Sequence, residues 1–270
     1  MWRRAFTLVA MSVLWAAVLS AAALPLAQAA DMPVDLELIL AVDVSRSMDI
    51  DEQQLQRDGY VAALTHPGVL TAITQGRHGR IALSYVEWAG PDTQYKVVDW
   101  RVIDGLDSAR TFAGALAQAP IQRFRGTSIS NSLAFVAPQF DHNGYEAKRR
   151  VIDVSGDGPN NMGIPIEAVR EPIVAAGITI NGLPIMIKQM TGFAAIPNLD
   201  EYYEDCVIGG FGAFLVVVQS AEQFAEAIRR KLVLEIAGRE PQIIPAAAVA
   251  NEDRMDCLIG EKLREQWMRE

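Results

Sequence analysis

The run Leu38-Ile39-Leu40-Ala41-Val42 limits what this chain can become more than any other stretch. Five consecutive apolar residues read as a strand buried on both faces, the kind that parallel sheets require. The run delivers the chain into Asp43-Val44-Ser45-Arg46-Ser47, a carboxylate followed by two hydroxyls at alternate positions. Packing gives no reason for that pattern. Open α/β sheets place their sites just outside the carboxyl ends of strands. Asp43, Ser45 and Ser47 are therefore expected on the first loop above a sheet, with three oxygen-bearing side chains gathered at one spot.

Strand and helix signals alternate beyond this point, which marks a layered α/β domain. Residues 49–64 carry Ile50, Leu55, Val61 and Leu64 among polar neighbours and predict a helix. His66-Pro67-Gly68 interrupts it, and a second short helix reaches residue 74. Residues 80–88 and 94–102 read as strands on either side of Ala89-Gly90-Pro91-Asp92. Such a hairpin puts one antiparallel strand at the edge of an otherwise parallel sheet. Further helices are expected at 108–119, from Thr127 or Ser128 to about 136, at 165–176 closed by Gly177, and at 221–236 capped by Ser220. Further strands are expected at 150–154, 178–187 and 214–218. Residues 241–245 read as a linker and 251–267 as an amphipathic helix outside the sheet. The fold class expected is α/β, a mostly parallel sheet with one antiparallel edge strand, helices on both faces and a C-terminal helical tail.

With 270 residues, half of them hydrophobic, the chain suits one domain plus a tail. Its net charge of −9 argues against sequence-independent binding of nucleic acid, which needs a basic face to neutralise phosphates. Lys148-Arg149-Arg150 is the lone basic cluster and reads as a solvated segment. Arg3 and Arg4 precede an apolar stretch over 5–26, and Ala27-Gln28-Ala29 supplies small residues for a signal peptidase. Residues 1–29 are expected to be a signal peptide, cleaved near Ala29, and the protein to be exported to the periplasm or beyond. The competing reading is an uncleaved anchor, since the stretch is long enough to span a bilayer. Membrane contact is expected through that segment alone.

Export bears on Cys206 and Cys257, the chain's two cysteines. In an oxidising compartment such a pair is expected to form a disulfide; its spacing matches no zinc pattern, and no histidine accompanies either cysteine. Closing a loop of about 50 residues stabilises by roughly 4 kcal/mol in the chain-entropy treatment. His66, His78 and His142 are scattered on turn-like segments and are assigned no chemistry. Trp88, Trp100, Tyr202 and Tyr203 are read as core or rim.

Two more loops share the chemistry of the first. Arg125-Gly126-Thr127-Ser128 opens a helix, and Ser155-Gly156-Asp157-Gly158 follows a strand. With Asp43, Ser45 and Ser47 they offer two carboxylates and three hydroxyls, all oxygen donors. Hard divalent cations prefer such a set, whereas zinc or copper would be poorly served. An outside carboxylate could complete the coordination. Taken singly, Ser45 and Ser47 could cap a helix starting near Met48, and Asp157 could be a turn residue. Three such coincidences at three loops favour a shared site.

Asp43-x-Ser45-x-Ser47, then Thr127, then Asp157 in a strand-end loop resemble the metal-ion-dependent adhesion site of von Willebrand factor type A domains, in the usual order. The likeness covers about residues 34–238 and implies a Rossmann-like fold, leaving 239–270 as linker and C-terminal helix. It implies that Ser45, Ser47 and Thr127 contact a metal, with Asp43 and Asp157 binding it directly or through water. It also implies Mg2+, or Mn2+ or Ca2+, and a protein partner whose acidic residue supplies the remaining ligand. The function expected is a metal-dependent adhesion-type module and not an enzyme. The alternative is a magnesium-dependent phosphohydrolase with Asp43 as nucleophile. Against it, position 45 is Ser where a second carboxylate would act as general acid. A Ser/His/Asp hydrolase ranks lower, for want of a G-x-S-x-G elbow.

Overall fold

The computed structural model describes residues 30–187, 196–238 and 254–270. The chain divides into Met1–Ala30 and Asp31–Glu270, and the account below concerns the second unit. The expected signal segment and the expected linker over 241–245 lie outside the described residues.

In chain order the elements are β1 (Met32–Pro33), β2 (Glu37–Asp43), α1 (Ile50–Leu64), α2 (Pro67–Thr74), β3 (Ile81–Trp88), β4 (Gln94–Ile103), α3 (Leu106–Gln118), α4 (Ile129–Val136), β5 (Tyr145–Glu146), β6 (Arg150–Gly156), α5 (Ile166–Ala175), β7 (Ile178–Pro184), α6 (Leu199–Tyr202) leading into a π-helical turn (Tyr203–Val207), α7 (Phe224–Ala237) and α8 (Ile259–Arg269). Five strands form the main sheet in the order β4-β3-β2-β6-β7. β2 is parallel to both neighbours, β6 is parallel to β7, and β4 alone is antiparallel, returning from β3. β1 and β5 make a separate parallel pair.

β2 lies at the centre because every one of its residues is buried. Leu38, Leu40 and Val42 point into one core, under α1, α2, α3 and α7, against Tyr60, Phe112, Phe224, Ile228 and Leu232. Ile39 and Ala41 point into the other, under α4, α5 and α6, with Ile129, Leu133, Ile166, Tyr202 and Tyr203. The period-two alternation of side chains thus feeds two apolar layers from one continuous run. Truncating Leu40 to Ala would cost about 2–5 kcal/mol by the usual cavity penalty. Helices cover both faces, as the alternating signals require.

Several boundaries differ from the sequence expectation. Residues 214–218 form no continuous strand; Leu215 and Val218 make isolated parallel bridges to Gly182 and Ile185 of the β7 edge. Pro184 has no N–H, so a regular ladder breaks there; its carbonyl still accepts from Val218 N at 3.0 Å. β7 ends at Pro184, three residues short of the expected 187, where its partner β6 also ends, at Gly156. Ser220 makes no side-chain cap, and a 3-10 turn over Ala221–Gln223 precedes α7. In the tail, residues 254–258 are not helical and α8 begins at Ile259 rather than near 251. Gly177 behaves as expected, with φ +79° just past α5.

Parallel strands end at the same edge. The loops after β2, β3 and β6 therefore emerge together, and α4 starts beside them, because Ser128 N donates to Ala89 O just beyond β3 at 2.8 Å.

Candidate metal centre at the sheet rim

Asp43 is the last residue of β2 and is fully buried. Its Oδ1 accepts from Ser45 N at 2.6 Å, which folds the loop back over the strand end. Its Oδ2 is buried with no hydrogen bond among the described residues. Burial, and then the negative charge of Asp157, push the Asp43 carboxyl well above the ordinary carboxylate range. A buried anion left half-satisfied beside a second carboxylate is costly unless positive charge is supplied.

The hydroxyls form a chain across the rim. Ser45 Oγ lies 2.6 Å from Ser47 Oγ, and Ser47 Oγ donates to Asp157 Oδ1 at 2.6 Å. Ser45 is buried, whereas Ser47 opens to solvent. Neither serine caps the following helix. That position belongs to Asp49, in a reciprocal capping box with Glu52.

Thr127 comes to the same rim on the loop before α4. Phe124 N donates to Val44 O at 3.1 Å, and Phe124 bridges Ser45, so this loop adjoins the first. On its other side Thr127 N donates to Asn161 Oδ1 at 3.1 Å, and Asn161 N donates to Thr127 O at 2.9 Å. Gly126 has φ +86°, a left-handed backbone conformation that glycine adopts without strain, which is why glycine is needed there. The three loops named from sequence are thus mutually in contact at one end of the sheet.

Residues that the sequence did not single out hold this rim in place. Gln53 and Gln56, buried on α1, donate to the carbonyls of Ser45 and Asp43, each at 3.1 Å. Gln56 Oε1 also accepts from Ser155 Oγ at 3.2 Å. Asn160 is a hub. Its Oδ1 accepts from Ser130 N at 3.0 Å, and its Nδ2 donates to Glu261 Oε1 of α8 at 2.7 Å. Tyr203 OH is buried and unpaired among the described residues, and a Cβ on Gly156 would meet it at 2.9 Å and Asp43 Oδ2 at 3.0 Å. The Asn160-Asn161 pair directly after Gly-Asp-Gly-Pro was the available signal. The glutamines were hidden by the rule that polar residues on an amphipathic helix face water.

Cys206 and Cys257 are disulfide-bonded, with Cα atoms 5.4 Å apart. The bridge fastens the segment ahead of α8 to the turn after α6. Gly260 then packs so tightly against Asn160 that a Cβ would fall 2.1 Å from its carbonyl oxygen.

The donor set fits a hard cation. It offers carboxylate and hydroxyl oxygens, with a buried orphan oxygen on Asp43. It is not a cluster of acids or histidines, and among the described residues no three His, Cys, Asp or Glu side chains gather as metal ligands.

The fold is similar to that of solved structures of low sequence identity. Proximal thread matrix protein 1 from the mussel byssus is 16% identical with a TM-score of 0.55, over 77% of this chain and 49% of that one. A further structure of that protein is described as having a zinc-occupied MIDAS motif. A von Willebrand factor type A protein from Catenulispora acidiphila is 15% identical with a TM-score of 0.53, over 77% of this chain and 44% of that one. The vWF domain of the type V pili tip protein Mfa5 from Porphyromonas gingivalis is 10% identical with a TM-score of 0.51, over 78% of this chain and 98% of that one. This chain spans about half of the mussel protein. No curated protein matches it. Residues 33–240 match the family described as "Protein of unknown function (DUF1194)", and the chain belongs to that family, with the fold of a von Willebrand factor type A domain.

Proposed function

We propose that this protein is an exported, metal-dependent protein-binding module whose cation is held by Asp43, Ser45, Ser47, Thr127 and Asp157. The observation that carries the reading is the hydroxyl chain from Ser45 through Ser47 to Asp157, ending beside the unpaired Oδ2 of Asp43. The serine and threonine oxygens would contact the cation, and the aspartates would bind it directly or through water. A bound divalent cation would supply an electropositive point on which a partner's carboxylate completes the coordination. The exposure of Ser47 beside buried Ser45 leaves one side of the site open for that group. Zinc at the corresponding motif of the mussel protein makes it one of the ions to test beside Mg2+, Mn2+ and Ca2+. No described helix is long and apolar enough to cross a membrane, which is compatible with export.

The test is thermal unfolding of the purified protein, stripped with chelator and then titrated with each cation. A ligand of the folded state at 100 times its Kd stabilises by about 2.7 kcal/mol, so a clear rise in Tm is expected. Asp43→Ala should remove the rise. An equal rise in the variant would place the cation elsewhere. The same preparations, offered generic phosphate esters with metal, should show no turnover that Asp43→Asn abolishes; such turnover would favour the phosphohydrolase.

A further inference from the structure

A second group of reactive side chains lies inside the fold, between the sheet and α7. Lys231 on α7 is 1% exposed and reaches across to Asp153 on β6, also 1% exposed. Its Nζ stands 2.6 Å from Asp153 Oδ1, and that oxygen has no other partner among the described residues. Glu235, one helical turn on, contacts the same amine through Oε1. Asn181 Nδ2 on β7 holds that oxygen at 3.1 Å. The ring of Phe214 lies over Nζ with its centroid 5.2 Å away. Tyr60 from α1 and the Arg149 guanidinium, which donates to the backbone carbonyls of Glu235 and Ile236, complete the surroundings.

This is a poor design for an ordinary ion pair. Two carboxylates face one ammonium in a space closed to water, and among the described residues Asp153 Oδ1 meets only that ammonium while Glu235 Oε2 has no hydrogen bond. A buried ion pair is weak evidence for stability even when its charges balance. The arrangement has instead the parts of a condensation: an amine, a carboxyl in contact with it, and a second carboxyl able to carry a proton between them.

We propose that Lys231 and Asp153 become joined by an intramolecular amide bond, with Glu235 carrying the proton. In the step, one proton moves from the Lys231 ammonium to the Asp153 carboxylate, giving a neutral pair of the same total charge. The Nζ lone pair attacks Asp153 Cγ, forming the C–N bond. The Glu235 carboxylate takes the surplus proton from nitrogen and returns it to the departing hydroxyl, which leaves as water. No oxidant, cofactor or other reactant is consumed. The product replaces an ion pair by an amide whose N–H can donate to Glu235.

The surroundings favour the step. Burial and the charge of Glu235 push Asp153 up to about 7, so its carboxyl takes a proton readily. Burial works to lower Lys231, although Asp153 and Glu235 outweigh it and hold the amine above the ordinary lysine range. The neutral pair is therefore the minority form, and proximity must make up the difference. Two groups fixed in contact by a packed core react as if at very high effective concentration. The link would tie the strand that leads into the Asp157 loop to the last helix of the domain.

The decisive measurement is a mass on the full chain, purified after folding, reduced and cut with trypsin. A branched species should appear, equal to peptide 151–170 plus peptide 231–239 less one water. Recovery of peptides 151–170 and 232–239 only as linear species, with trypsin cutting after a free Lys231, would overturn the proposal. Loss of one ammonia, with peptide 171–188 as the branch, would make Asn181 the acceptor and overturn the assignment to Asp153. Glu235→Gln, shown to be folded by circular dichroism, should lack the branch; a full yield of it would remove Glu235 from the step. The wild-type mass is read directly, so it decides for or against the bond even if a variant fails to fold.

Discussion

Ser47 donates a hydrogen bond to Asp157 across 110 residues of sequence, at 2.6 Å. The bond links the loop after the central strand to the loop after its neighbour, so the rim is assembled by the fold and not by one segment. Ser47→Ala should cost about 1 kcal/mol in chelated buffer, the usual net worth of such a bond. It should also reduce the gain in Tm on adding cation, since a donor oxygen is removed. Urea unfolding with and without cation separates the two effects. Equal losses in both conditions would reduce Ser47 to a structural role.

Gly156 sits where the backbone passes between Asp43 and Tyr203. Gly156→Ala places a methyl 2.9 Å from Tyr203 OH and 3.0 Å from Asp43 Oδ2, both on buried side chains. Overpacking of this kind destabilises by about 1–3 kcal/mol. Denaturant unfolding should show that loss, and cation titration should show weakened binding through the displaced carboxylate. A variant as stable as the parent would mean that the two side chains have room to retreat.

Asn160 joins α4, the Asp157 loop and α8. Asn160→Ala strips the acceptor from Ser130 N, a buried donor, and is expected to cost about 1–3 kcal/mol. Glu261→Gln should be far milder, because an amide oxygen can still accept from Asn160. Chemical denaturation of the two variants side by side checks the ranking.

Reduction of Cys206–Cys257 should lower stability by about 4 kcal/mol by the loop-entropy estimate. It should also raise hydrogen exchange at Asn160 and Asn161, since the segment leading to Glu261 loses its anchor. Exchange measured with and without a thiol reductant tests this. Unchanged protection at those amides would separate the tail from the rim.

A pH effect is expected from Glu37. Burial raises its carboxyl above the ordinary glutamate range, more than the bonds from Asn143 Nδ2 and Ala147 N lower it. A carboxyl with a raised folded pKa stabilises the protein fully below its unfolded pKa of about 4.3 and loses that contribution as pH rises through the folded value. Stability relative to Glu37→Gln should therefore fall on going from pH 4 to neutral. Urea midpoints across that range give the slope, and parallel curves for the two proteins would refute it.

The fold was readable where one physical signal dominated. Leu38 to Val42 announced a doubly buried strand because no polar residue interrupts it, and β2 is buried throughout. The hairpin turn at Gly90-Pro91 correctly put β4 antiparallel at the edge. The cysteine pair was legible because a chain with two cysteines allows one bridge. Other features depend on tertiary context. Lys231 lies on a helix whose sequence gives no reason to bury a lysine, and residues of that type are almost never fully inside. Residues 214–218 have strand composition, but Pro184 on the facing chain denies them a regular ladder. At the rim, motif order pointed to three loops that the fold brings into contact, while Asn160, Gln53 and Gln56 act through contacts that only the folded chain brings about.

The direction of β2 has a practical consequence for anyone immobilising this protein. The strand enters at Glu37 and delivers Asp43 at its far end, seven residues or roughly 20 Å away. A handle attached just ahead of Val34 therefore leaves Ser47 facing bulk solution. One placed after α8 hangs from a helix whose first turn packs against Asn160, next to the rim. Biosensor work should couple the chain by its leading end.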